Sequence, residues 1–410
     1  MTQSELAGSD FTKSFISQIE KGHTRPSLKS LEIIAKRLNQ PISSLLDEDE
    51  SLPDSDKLDS LLANARLDFS EGRLNDAVVS FDKALQACPP FDHATRGEIL
   101  FKKGHIRFAQ RDFKTALVEF NSAVDELKQS HQTELYVRAL CDVGSSHYMM
   151  GNYRSSREAF EEALAAYGTL GVINTHLLCT IESNLGNALA HLREYDVAVK
   201  ILEDSLERSR NNAEYYLYGK ICHILGYCYD ALQQYPKAIS RTQKALEFYS
   251  SVEDMELLLS AQLNLATHLR KVSEFNKAKV VASRALDTAS KLRANDQKAR
   301  AHIELAHIYL DQEDAKKALS HVTLAFDLAP AHMDVPKWTL TLLECSKRVP
   351  IPTETLASVE KACADWTGPP RDLAEIHSNL GELYSSQGNP EKANVHLSKS
   401  VALFRELRDT

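Results

Sequence analysis

A recurring frame of small residues constrains this chain more than anything else in it. A small residue is followed twelve positions later by Ala or Ser, and seven later by Ala or Ser again. The frame reads Ala65/Ala77/Ala84, Gly104/Ala116/Ala123, Gly144/Ser156/Ala163, Gly186/Ala198/Ser205, Gly226/Ala238/Ala245, Ala266/Ala278/Ala285, Ala306/Ala318/Ala325 and Gly381/Ala393/Ser400. Successive copies start 39, 40, 42, 40, 40, 40 and 75 residues apart. The last step is nearly double, and a worn copy with Cys345, Ala357 and Ala364 in frame is expected to fill it. Two antiparallel helices approach closely only where side chains are small. An aromatic, usually three residues before the second small position (Phe113, Tyr153, Tyr195, Tyr235, Phe275), fills the space left. A single helix pair cannot bury its apolar face alone, so such pairs stack on one another.

This frame resembles the tetratricopeptide repeat in a form of about 40 residues. The resemblance covers 57–410. It implies an all-α fold, a right-handed superhelical solenoid of about eight to nine helix pairs. It identifies a binding surface and no particular ligand. The prolines at 330, 336, 350, 352, 369 and 370 loosen the pattern there, and two helices are expected around Trp338–Lys347 and Thr353–Trp366.

The first 46 residues follow another pattern. Thr2 and Thr12 read as N-caps, and Ile16 and Ile19 share one face of the helix that Thr12 opens. Ser27 reads as the cap of a third helix, with Leu28, Leu31, Ile34, Ala35 and Leu38 as its apolar stripe. Gly22 ends the second helix, and Pro41 starts a short one ending in Leu45 and Leu46. The runs Thr2–Ala7, Ile16–Gly22 and Arg25–Ser27 resemble the Cro/repressor-type (XRE) helix-turn-helix. The resemblance implies that Lys13, Ser14 and Gln18 face base edges, with Thr12 and Ser17 beside them. Gln3, Lys21, Thr24 and Arg25 would meet phosphates. The family carries a further helix before the Thr-Gln step, and this chain starts without it. Part of Leu6, Ile16 and Ile19 is therefore expected to be exposed, and a coding start further upstream is expected to restore the missing helix.

Charge divides the chain in the same place. Residues 1–46 hold six Lys/Arg against four Asp/Glu, while the remainder holds 42 against 53. DNA contact is therefore expected only in the first 46 residues. Residues 47–56 are acidic with one proline and are expected to form a linker, with the first repeat helix beginning near Lys57.

No run of about 18 apolar residues occurs, so no membrane span is expected. The start lacks the basic and apolar regions of a signal peptide, and the seven cysteines form no CxxC pair. A cytoplasmic protein with reduced thiols is the expectation. No GxGxxG, P-loop, HExxH or GxSxG is present. No enzyme, cofactor or metal is expected.

The first helix of each pair lines the concave face in tetratricopeptide folds. Two positions before the small residue, Asn recurs as Asn184, Asn264 and Asn379. Resembling proteins use Asn there to hold the backbone of an extended peptide, and the competing reading is that Asn184 and Asn264 only tie neighbouring helices together. Asn187 lies one turn on. Arg138, Lys220 and Arg300 fall one turn earlier, placed to meet a peptide carboxylate. A helix-turn-helix joined to such repeats resembles the peptide-pheromone-responsive regulators of Gram-positive bacteria. The resemblance implies a homodimer that binds a double-stranded DNA operator and is gated by a short peptide or small ligand in its groove. The alternative is a protein-interaction scaffold that has lost DNA binding.

Overall fold

The structure is a computed structural model, and it describes residues 2–8, 10–20, 26–38, 54–130, 132–171, 173–212, 214–328 and 334–409. All regular elements among them are α-helices. The chain divides into two compact units, residues 1–150 and 151–410.

The first unit opens with α1 (Gln3–Ala7), α2 (Lys13–Glu20) and α3 (Leu28–Leu38). The three caps anticipated from sequence are present. Thr2 Oγ1 accepts from the Glu5 amide at 3.3 Å, and the Glu5 carboxylate accepts from the Thr2 amide at 2.6 Å, a reciprocal capping box. Thr12 Oγ1 accepts from the Phe15 amide at 3.1 Å, and Ser27 Oγ from the Ser30 amide at 3.2 Å. Ala7, Ile16 and Ile34 form a small core, with Leu6, Phe11, Phe15, Ile19 and Leu38 partly buried around it. The expectation that Ile16 would be exposed is thereby corrected. It is 1% exposed, because α1 and α3 close over it without a further helix. Leu6 and Ile19 do remain partly exposed. Arg37 braces the assembly, donating to the Leu6 and Ala7 carbonyls at 2.8 and 2.6 Å and pairing with Asp10. Gly22, Pro41, Leu45 and Leu46 lie outside the described residues.

The unit continues as α4 (Asp54–Ser70), α5 (Leu74–Ala87), α6 (His93–Ala109), α7 (Phe113–Lys128) and α8 (Thr133–Met149). Helix α4 begins three residues before Lys57. Asp54 and Asp56, read from sequence as linker, fall in its first turn.

The second unit holds α9 (Tyr153–Tyr167), α10 (Thr175–His191), α11 (Tyr195–Asn211), α12 (Tyr215–Ala231), α13 (Tyr235–Ser251), α14 (Met255–Lys271) and α15 (Phe275–Lys291). It continues with α16 (Asn295–Asp311), α17 (Ala315–Leu328), α18 (Val335–Ser346), α19 (Thr353–Ala364), α20 (Pro370–Ser386) and α21 (Pro390–Asp409). Each first helix except α18 packs along its own second helix, α18 packing instead against α17 and α20, and α10, α12, α14, α16, α18 and α20 adjoin in series.

The small residues do what their spacing implies. Ala198, Ser205, Ala238, Ala245, Ala266, Ala278, Ala285, Ala306, Ala318 and Ala325 are fully buried. A Cβ added at Gly186 would stand 2.6 Å from the Leu202 side chain, which is itself fully buried, so α10 and α11 sit at a distance that only glycine permits there. Seven positions after each small residue the chain turns through positive φ. Gly72, Arg111, Gly151, Arg193, Gln233, Ser273, Glu313 and Gly388 all occupy it.

The worn copy is corrected in its second half. Cys345 is buried as expected, but Ala357 and Ala364 are exposed, and Thr355 and Ala362 take the buried small positions. Pro350 and Pro352 end the connection early, so α19 starts sooner and the frame slips by two residues. Trp338 fills the space that two 12-residue helices leave, edge-on to Phe326 at 5.9 Å.

Candidate functional sites

Helix α2 presents the candidate DNA face. Thr12, Lys13, Ser14 and Gln18 are exposed and Ser17 is half-buried. Ser14 and Gln18 lie on the side of α2 opposite buried Ile16. Gln3 is half-buried and donates to Glu20 Oε2 at 2.5 Å. Lys21, Thr24 and Arg25 lie outside the described residues.

The second candidate surface is the row of first helices in the second unit. Every Asn singled out from sequence bonds across it. Asn184 Oδ1 accepts from Lys220 Nζ at 2.6 Å, joining α10 to α12. Asn264 Nδ2 lies 3.0 Å from His223 Nε2, joining α14 to α12. Because an amide nitrogen only donates, His223 Nε2 accepts. Burial, with a smaller contribution from His268, pushes His223 down to about 4, which keeps it neutral. Asn379 Nδ2 donates to Thr339 Oγ1 at 2.8 Å, joining α20 to α18, and the Asn379 side chain is buried.

Three helices are thus linked in one transverse chain, Asn184, Lys220, His223 and Asn264, with α12 reaching both ways. Asn187, one turn from Asn184, is half-buried. Arg300 is held by Gln297 at 3.2 Å. It shares with Asn264, Thr267, Glu304, His307 and Trp338 the lining of a cavity of about 170 Å³. Arg138 belongs to the first unit, where it pairs with Glu134 at 2.7 Å.

The first 45 residues match the helix-turn-helix family model, and residues 177–251 and 299–332 match tetratricopeptide-repeat models. This chain carries a helix-turn-helix followed by tetratricopeptide repeats. Among solved structures, the apo quorum sensor NprR from B. thuringiensis is similar over 85% of this chain and 98% of its own, at 16% identity and a TM-score of 0.55. A Rap protein complexed with competence and sporulation factor is similar over 93% of both chains, at 16% identity and a TM-score of 0.52. These likenesses are of fold. A curated relative, tetratricopeptide repeat protein 29 of Trypanosoma brucei brucei, is 24% identical over 228 residues, 53% of this chain and 46% of its own. The chain spans less than half the length of the curated relatives it matches.

Sequence reasoning missed much of the charge network on the tetratricopeptide row. Arg270 on α14 donates to Glu304 and Asp311 of α16, both at 2.9 Å. Asp230 on α12 takes His268 at 3.1 Å and Lys271 at 2.7 Å from α14. Burial pushes the Glu304 carboxyl up, but His307 and Arg270 outweigh it and hold it below the ordinary carboxylate value. Burial likewise acts upward on Asp230 and is outweighed by hydrogen bonds from His268 and Lys271. Opposite charges some 34 to 41 residues apart were the available signal, since that spacing places them on adjacent first helices. Among the described residues no helix is long and apolar enough to cross a membrane. Six of the seven cysteines are buried, all seven are free, and burial pushes Cys141 and Cys228 up to about 12.

Proposed function

We propose that this chain is a cytoplasmic transcription regulator. Its helix-turn-helix reads a double-stranded DNA operator, and its tetratricopeptide groove senses a short peptide or small ligand. The observation that carries the reading is the pairing of two surfaces on one chain. Helix α2 offers exposed Lys13 and Ser14 at its N-terminus, the part a recognition helix presents to base edges, and exposed Gln18 one turn further on. The row of first helices offers amides and cations on an open face, with a cavity of about 170 Å³ beside Asn264 and Arg300. The fold likeness to a quorum sensor and to a Rap protein bound to its factor supports a peptide as the ligand class. A homodimer follows from the reading, since a two-fold operator presents two half-sites about one helical turn apart.

Enrichment of random duplex DNA on the purified full-length chain tests it. A recurrent two-fold motif bound with steep salt dependence is the expected result. Enrichment of no motif, with binding no stronger than to random duplex, would leave the interaction-scaffold reading in its place.

A further inference from the structure

The last described helix pair, α20 and α21, keeps the outer face of an interior pair. In the regular pairs the residue sixteen positions after the first small residue is buried. Phe81, Phe120, Leu202, Thr242 and Val322 hold that position, and none is more than 2% exposed. Seven positions further on, Leu127, Ser209, Tyr249 and Ala289 are buried as well. The following first helix supplies the cover. Phe81 shares a core with Ile99 and Ile106 of α6, and Ala282 shares one with Leu305 and Ile308 of α16. On α21 the two positions are Leu397 and Phe404. They are 36% and 42% exposed, and Val401 between them is 49% exposed. The three fall at i, i+4 and i+7, which makes one apolar stripe. Repeats that close a solenoid turn a polar face outward, and α21 does not.

Charge follows the same register. One position after the first small residue, Arg66 pairs with Glu98 at 3.1 Å and His105 with Asp142 at 2.9 Å, each on the following first helix. Glu382 stands at that position on α20 and is exposed. His396 and Ser400, on one flank of the α21 stripe, bond to α20 through His377 and the Ala374 carbonyl. Arg405 is exposed on the other flank.

We propose that the open face of α21 is a homodimer interface, covered by α21 of a second copy of this chain. Consecutive helices joined by short turns run antiparallel, so the helix that covers this face in an interior pair runs antiparallel to the one beneath it. A second α21 related by a two-fold axis at Val401 runs antiparallel too and takes the same seat. Leu397 of each copy then faces Phe404 of the other, Val401 faces its own mate, and no charge falls within the stripe. The same rotation lays Arg405 of one copy along α20 of the other, between Glu375 and Glu382. The face is therefore complementary to itself in both polarity and charge, as an isologous contact requires. The inference rests on the register of α21 alone, and it supplies the contact for the homodimer of the regulator reading.

Sedimentation velocity of the full-length chain across the micromolar range, without DNA or peptide, tests it. The expected result is a dimer that dissociates on dilution. Val401→Glu should weaken association by more than about tenfold, because two carboxylates would meet on the axis. Arg405→Glu should weaken it severalfold, and Arg405→Glu/Glu382→Arg should restore it. Both of those side chains are exposed, so the fold is spared, and restoration requires that the two charges face each other. Mild oxidation of Val401→Cys should yield a self-linked dimer. Val395→Cys, equally exposed on the far side of α21, should stay unlinked. A parent that remains monomeric overturns the proposal and leaves the face to a different protein or a further repeat. A dimer that survives Val401→Glu and does not link through Val401→Cys also overturns it and puts the dimer contact elsewhere. Neither result bears on whether the helix-turn-helix selects a motif, which enrichment of duplex DNA decides separately.

Discussion

His377 and His396 meet across the last helix pair with their Nδ1 atoms 3.0 Å apart, and His302 and His321 make the same contact at 2.9 Å one worn copy earlier. The two pairs occupy the same positions of the repeat. Each is backed by the same tyrosine, Tyr384 stacked on His396 at 5.6 Å and Tyr309 on His321 at 5.5 Å. A hydrogen bond between two Nδ1 atoms needs one to donate and one to accept, so both rings cannot be protonated on those atoms. Burial, reinforced by each partner ring, pushes His377 and His302 down to about 4.

The consequence is loss of stability in mild acid. A depressed histidine value means that the unfolded chain binds more protons than the folded one, so stability falls with pH. The contribution is intact above the unfolded value of about 6.5 and is lost progressively toward about 4. Melting curves of the parent and of His302→Asn/His377→Asn between pH 7.5 and 4.5 check this. The variant should lose less melting temperature over that range. Parallel curves would show that the pairs are not the titrating elements.

The left-handed turn residues give a prediction of opposite sign. Arg193 and Ser273 hold φ of +64° and +61°, a conformation that costs a residue with a side chain about 1–2 kcal/mol. Glycine removes that strain and returns part of the gain through the entropy of the unfolded chain. Arg193→Gly and Ser273→Gly should each stabilise the protein by about 0.5–1 kcal/mol, read by urea melts. An unchanged or lower midpoint would mean that the side chain contributes more than its strained backbone costs.

Gly186 should behave differently from those turns. A methyl group there collides with the fully buried side chain of Leu202. Gly186→Ala should cost about 1–3 kcal/mol, the range of an overpacked core. Gly186→Ala/Leu202→Ala should recover part of the close approach while leaving its own packing deficit. A single variant as stable as the parent would show that α10 and α11 can part without loss.

Much of this architecture was legible because helix contact imposes a period. The small positions from Ala65 to Ser400 mark where backbones approach, and Thr2, Thr12 and Ser27 carry capping oxygens that act locally. The slip at Thr355 and Ala362 was hidden because proline shortens a connection without altering the small-residue pattern nearby. The bonds of Asn184, Asn264 and Asn379 were also hidden. Register places an amide on a face, but its partner lies on a helix 36 to 41 residues away and depends on how neighbouring helices edge together. Ile16 was misjudged for the same reason, since Ile34 covers it from a distant turn of chain.

On the helix-turn-helix, Lys13 and Gln18 should separate specific from general DNA affinity. Each substitution by Ala is expected to cost about 1–3 kcal/mol on the enriched operator and little on random duplex. Fluorescence anisotropy at two salt concentrations distinguishes the outcomes. A loss from Gln18→Ala that is equal on all sequences would assign it to the phosphate backbone.

The three asparagines should respond in three ways, because each spends its amide differently. Asn379 is buried and donates to Thr339, so Asn379→Ala strands a hydroxyl acceptor and should lower stability by about 1 kcal/mol without touching ligand retention. Asn184→Ala removes the hydrogen bond described between α10 and Lys220 of α12, so stability and retention of peptide in the groove should fall together. Asn264→Ala releases a neutral histidine and removes an amide from the lining of the cavity it shares with Arg300. Its stability should change by less than that of Asn379→Ala, and its retention should fall. Melting temperature and affinity selection on the same three variants decide the matter. If all three melt lower and all three retain the peptides as the parent does, the amides serve only to tie one first helix to the next.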